Sequence, residues 1–146
     1  MGLKMVVGLD SSKYAEQAFQ RALELARKTG GSLVVVCGRR PKSISYVAAF
    51  QPALTIASAM KDAEERAAEA LKKAADEAAA AGVDVKTEAV YEDPAESLIN
   101  VAEREMADAI VVGAKGEGGL SDRLFGSTVT DLLQRSTIPV LVVPAR

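Results

Sequence analysis

Residues 109–128 read AIVVGAKGEGGLSDRLFGST. The opening run, Ala109 to Val112, is apolar without alternation, as a strand requires when helices cover both of its faces. Five glycines fall from Gly113 to Gly126, and Gly126-Ser127-Thr128 then suits the opening of a helix that carries Val129, Leu132 and Leu133 inward. A buried strand passing through a glycine-rich loop into a helix is half of a βαβ crossover. It predicts a parallel sheet, because a helical return brings the next strand back in the same direction.

The remainder of the chain repeats that unit. Short apolar runs recur at Leu3–Leu9, Leu33–Cys37, Val83–Tyr91 and Ile138–Val143, so five strands are expected with Ala109–Val112 as the fourth. Met5-Val6-Val7, Val34-Val35-Val36 and Ile110-Val111-Val112 are continuous, which places the first, second and fourth strands centrally. Val83 to Ala89 alternates and belongs at an edge, while Pro139 removes a ladder donor and marks the last strand as the other edge.

Helical patterns fill the gaps. Ala15, Ala18, Phe19, Ala22, Leu23 and Ala26 follow helical spacing, with Ser12 as N-cap and Thr29-Gly30-Gly31 as the stop. Ala63, Ala67, Ala70, Leu71, Ala74 and Ala78 stripe a longer helix that ends before Gly82. Asp93-Pro94 opens a third, with Leu98, Ile99, Ala102 and Met106 turned inward, and the fourth runs from about Ser127 to Arg135. The fold class is α/β: a doubly wound, open parallel five-stranded sheet, Rossmann-like, in order 3-2-1-4-5, with helices on both faces. Residues 1–146 are expected to form one domain.

Composition narrows the function. The chain has 18 Lys+Arg against 20 Asp+Glu, a net charge of −2, which argues against nucleic acid as a partner. It has no histidine and one cysteine, Cys37, so histidine triads, Cys/His zinc sites and an internal disulfide are excluded. The amino terminus carries no cleavage signal, Val6 breaks a myristoylation motif, and no apolar run approaches the roughly 20 residues that cross a bilayer. A cytoplasmic address without membrane attachment is expected.

In doubly wound sheets ligands settle beyond the carboxyl ends of the strands, where the helices change face. The first such loop, Gly8-Leu9-Asp10-Ser11-Ser12, lacks the glycines of a dinucleotide fingerprint, and the loop after the fourth strand lacks the Lys-Ser/Thr of a Walker motif. The second loop nevertheless has the makings of an anion site: free N–H groups at a helix start, few side chains in the way, hydroxyls on Ser127 and Thr128, and charge from Lys115 or Arg123. The plainer reading is that Ser127 caps the helix and the glycines only loosen the loop. Asp10 has three readings, as acceptor for ribose hydroxyls, as holder of a divalent cation through water, or as a cap of the first helix.

The spacing Gly113-x2-Gly116-x9-Gly126-Ser127, directly after a buried strand, resembles the G-x2-G-x9-G-[ST] pattern of the ATP-binding branch of the universal stress protein (UspA-like) family. Asp10-x-Ser12, Asp93-Pro94-Ala95 and Ile138-Pro139-Val140 extend the resemblance over nearly the whole length. It implies that Asp10 binds ribose, that Gly113 lies near the sugar, and that Gly116, Gly126, Ser127 and Thr128 cradle the phosphates. It also implies that Val112 lines the adenine slot and that the chain forms a homodimer on its last strand. Two departures stand out. Cys37-Gly38 replaces a His followed by an apolar residue, leaving the Gly38 main chain to read the adenine edge, and Glu92 replaces a glycine, bringing a carboxylate that would repel phosphate unless it points away or meets a metal ion.

The segment Arg39–Ile56 is long for a crossover loop. Either Tyr46 and Phe50 close over a ligand with Arg39 or Arg40 reaching in, or the aromatics pack locally and the arginines are solvated. The leading functional expectation is an ATP-binding regulatory protein of the stress response, with Mg2+ or Mn2+ accompanying the nucleotide and a protein partner reading its state. The alternatives are a slow ATPase or phosphoryl or adenylyl transferase, drawing on Asp10, Glu92, Lys115, Glu117 and Asp122, and a nucleotide-free module that pairs through Ile138–Val143.

Overall fold

The computed structural model describes residues 2–10, 12–38, 52–116 and 125–145. The elements, in order, are β1 (Lys4–Leu9), α1 (Lys13–Thr29), β2 (Ser32–Gly38), α2 (Pro52–Ala80), β3 (Asp84–Val90), α3 (Pro94–Arg104), β4 (Ala109–Gly113), α4 (Ser127–Arg135) and β5 (Val140–Val143). All strand pairs are parallel and the sheet order is β3-β2-β1-β4-β5, as the patterning predicts. Alternate residues of the central strands serve two cores. Met5, Val7, Leu33, Val35 and Val111 pack beneath α1 and α2, while Val6, Val34, Val36, Ile110 and Val112 pack beneath α3 and α4. This is why those strands read as unbroken apolar runs. Among the described residues no helix is long and apolar enough to cross a membrane.

The helix ends follow local chemistry. Ser12 Oγ accepts from the Ala15 N–H (3.1 Å) to cap α1, and Gly30 closes it in the left-handed region at φ 68°. All six residues of the expected α1 stripe are buried. α2 starts at Pro52, inside the stretch expected to be loop, because proline is preset for a first helical position and Ala53 to Met60 contain no breaker. The residues proposed as a lid, Arg39, Arg40, Tyr46 and Phe50, lie outside the described residues.

Two inward assignments are corrected. α3 ends at Arg104, and its chain turns through Met106 at φ 52° with the Met106 N–H donating to Glu103 O and the Ala107 N–H to Ala102 O. That paired arrangement is a Schellman turn with methionine where glycine is usual, and it throws Met106 into solvent at 84% exposure. Leu133 is likewise 57% exposed, because α4 lies at the sheet margin and buries only Val129 and Leu132. Pro139 precedes β5 and its carbonyl accepts from the Ile110 N–H (2.9 Å), so the ladder loses nothing to the missing donor.

Glu105, just beyond α3, ties the opposite end of the molecule together. Its Oε1 lies 3.0 Å from Lys86 Nζ of β3 and 3.1 Å from Lys4 Nζ of β1, and Arg104 pairs with Glu88 alongside. Hydrogen bonds from Lys86 and then Lys4 hold the Glu105 carboxyl down to about 2. Its folded value lies below its unfolded one, near 4.3, so its stabilisation is complete above the unfolded value and drains away as pH falls toward about 2. Acid titration of the unfolding transition is expected to fall less steeply below about pH 4.3 for Glu105→Gln than for the native chain; parallel profiles would remove the role assigned to this cluster.

Candidate functional site

The strand order puts the switch point between β1 and β4, and the two loops named above meet there. Asp10 follows β1 and is exposed, with Oδ1 accepting from the Ser12 N–H at 2.7 Å, which fixes the carboxylate in a tight local turn. Its Oδ2 faces Gly116: a Cβ placed on that glycine would stand 3.2 Å away. The β4 loop is stitched at its base, since the Ala114 N–H donates to Val143 O and the Gly126 N–H to Ala114 O, each at 2.9 Å. These bonds bring Gly126 against Gly116, whose N lies 3.1 Å from where a Cβ on Gly126 would sit.

The start of α4 is therefore built differently from those of α1 and α3. Ser12 and Asp93 cap the latter two through their own side-chain oxygens, Asp93 Oδ2 accepting from the Glu96 N–H at 3.2 Å. The N-cap of α4 is Gly126 itself, with φ −66° and ψ 162°, and it has no side chain with which to cap the first turn. Ser127 is thus the first helical residue and not the cap, which sets aside the plainer reading of this residue. Ser127 is exposed and Thr128 half-buried. The N–H groups of a helix's first turn and the positive end of its dipole favour an anion beside them.

The other expected site residues sit as follows. Lys115 is buried at 8% exposure between Gly113 and Gly116. Gly113 ends β4, and a Cβ there would stand 2.5 Å from the Tyr14 carbonyl oxygen, so close packing of α1 requires glycine at this position whatever binds nearby. The Val112 side chain belongs to the core beneath α3 and α4. Gly38 is exposed at the end of β2, beside buried Cys37, and a Cβ there would meet nothing within 4 Å among the described residues. Glu92 accepts from Asn100 Nδ2 at 3.2 Å, which draws its carboxylate along α3 and away from the carboxyl edge of the sheet. Ser11, Glu117, Asp122 and Arg123 lie outside the described residues.

Two features escaped the sequence. The approach of Tyr14 to Gly113 joins residues far apart in the chain, and no local pattern encodes it. A cleft of about 370 Å³ opens between α1 and α2, floored by Leu9, Phe19, Ala70 and Ala74, and reaches Asp10 and Ser12. Its only sequence signal is the run of small residues on α2. Among the described residues, no group of three or more Asp, Glu, Cys or His side chains is placed to hold a metal ion.

The family model described as the universal stress protein family matches residues 1–144. The chain belongs to the universal stress protein family. It is 28% identical over 144 residues to the universal stress protein YxiE of Bacillus subtilis, covering 96% of this chain and 97% of that protein. The solved structure of MJ0577 from Methanocaldococcus jannaschii superposes with a TM-score of 0.81 at 25% identity, covering 100% of this chain and 98% of that one. A universal stress protein solved in complex with cAMP superposes with a TM-score of 0.67 at 27% identity, covering 99% and 98% of the two chains. In this universal stress protein the fold and the meeting of the two loops accord with the sequence expectation, and Met106, Leu133 and the start of α2 are the points that differ.

Proposed function

We propose that this universal stress protein binds ATP through the Gly126 end of the β4 loop and uses the bound state as a regulatory signal. The observation that carries the reading is the start of α4, whose N-cap Gly126 brings no side chain to the first turn and is seated on Gly116 at the positive end of the helix dipole. The complex of a structural neighbour with cAMP supports a phosphate-bearing adenine nucleotide as the ligand class. In this reading Gly126, Ser127 and Thr128 meet the phosphates, with Gly116 beside them. Asp10 accepts from ribose hydroxyls, Gly38 offers main-chain groups to the base, and Val112 and Gly113 back the sugar and base. Glu92, engaged by Asn100, leaves the phosphates unopposed. Mg2+ or Mn2+ accompanies the phosphates as counter-ion, with the Asp10 carboxylate facing Gly116 beside them.

The test is direct. Small molecules released from freshly purified protein and identified by mass spectrometry are expected to include an adenine nucleotide, and calorimetric titration with ATP and magnesium is expected to give one site per chain. No uptake at millimolar ATP would end the reading.

The same proposal includes a homodimer through β5. That strand is apolar throughout, none of its four residues is fully buried, and its outer side pairs with no other strand of the sheet. Such an edge recruits a partner strand. Light scattering at micromolar concentration is expected to give twice the chain mass, and a monomer would remove this part.

A further inference from the structure

Gly113 and Gly116 both face the turn between β1 and α1. A methyl at Gly113 would stand 2.5 Å from the Tyr14 carbonyl oxygen and 2.7 Å from its carbonyl carbon, both backbone atoms that move only if α1 moves. A methyl at Gly116 would meet Asp10 Oδ2 at 3.2 Å. The two contacts converge on the stretch from Asp10 to Tyr14, which is otherwise held by Asp10 Oδ1 on the Ser12 N–H, Ser12 Oγ on the Ala15 N–H and Ser12 O on the Glu16 N–H. Gly113 sets how near the first turn of α1 comes to β4. Gly116 leaves the space that the Asp10 carboxylate occupies.

We infer that Gly113 and Gly116 are positioning residues that hold Asp10 beside the start of the β4 loop. This rests on the ATP reading above and takes from it only that Asp10 touches the ligand. It gives Gly113 and Gly116 a steric job toward α1 and its turn, whereas Gly126 is the N-cap of α4.

The deciding experiment is a double-mutant cycle on magnesium-ATP affinity with Asp10→Ala, Gly113→Ala and Gly116→Ala. Each glycine variant is expected to weaken binding about ten-fold when Asp10 is present and less than about two-fold in the Asp10→Ala background, as coupled residues do. Equal losses in both backgrounds would show that the glycines meet the phosphates directly and would overturn the inference. Should Gly113→Ala fail to fold, Gly116→Ala carries the cycle alone, since among the described residues its methyl meets the end of a side chain and no backbone atom. A second measurement needs no ligand: hydrogen exchange at the Ala15 and Glu16 amides of nucleotide-free Gly113→Ala is expected to quicken at least about ten-fold over the native chain. If the native chain takes up no ATP, the preceding proposal falls, and unchanged exchange at these two amides overturns the positioning claim on its own.

Discussion

Gly126→Val is expected to abolish ATP uptake while leaving the protein folded. The backbone at Gly126, φ −66° and ψ 162°, is extended and open to valine, so the replacement brings no backbone strain. Exchanging glycine for valine at an N-cap costs about 1 kcal/mol, which for a chain of this length lowers the melting temperature by roughly 2–4 °C. The local effect is much larger. The new Cβ would stand 3.1 Å from Gly116 N and 3.4 Å from Lys115 Cα, both backbone atoms of the segment on which the helix start is seated. Losing two charge-assisted hydrogen bonds of about 1.5–3 kcal/mol each reduces affinity by at least about a hundredfold. Calorimetry beside a thermal melt reads both quantities, and uptake unaltered by the substitution would remove the assigned site.

Phe19→Ala is expected to have the largest effect on stability. Phe19 is 1% exposed on α1, where it fills the core under α1 and α2 and floors the cleft beside Asp10. Truncating a buried phenylalanine removes its transfer energy and leaves a void, together about 3–5 kcal/mol, so the melting temperature falls on the order of 10 °C. Leu133→Ala, at a residue of the same apolar character left 57% exposed, should change stability by less than about 0.5 kcal/mol. Urea unfolding of the two variants checks the pair, and similar losses would mean that the assignment of Leu133 to solvent is wrong.

The parts of the fold that the sequence discloses are those governed by neighbours in the chain. Continuous Val and Ile runs mark β1, β2 and β4 because both faces of those strands are covered, and Ser12, Gly30, Asp93-Pro94 and Gly82 mark helix ends through their own backbone preferences. Met106 shows where that logic stops. Its spacing from Leu98 and Ala102 continues the helical stripe, but the stripe has meaning only while the helix lasts, and α3 ends two residues earlier. Leu133 fails for a different reason: helical spacing identifies a face, whereas burial depends on whether another element lies over it.

The candidate site divides in the same way. Asp10, Gly116 and Gly126 are legible because strand-end position and loop spacing place them at the switch point. The reason for glycine at 113 is not legible, because the atom that excludes a side chain belongs to Tyr14, almost a hundred residues earlier in the chain. Nor is the burial of Lys115, since lysine is ordinarily a surface residue.

The turn that follows α3 has a practical consequence. Because Met106 is shaped by its backbone and its side chain is in water, the position tolerates chemical cargo that the interior would refuse. The chain's sole native thiol, Cys37, is buried, so Met106→Cys would create a uniquely reactive handle for a fluorophore or spin label. Attached there, the reporter would follow the tumbling of the whole particle without perturbing either hydrophobic layer.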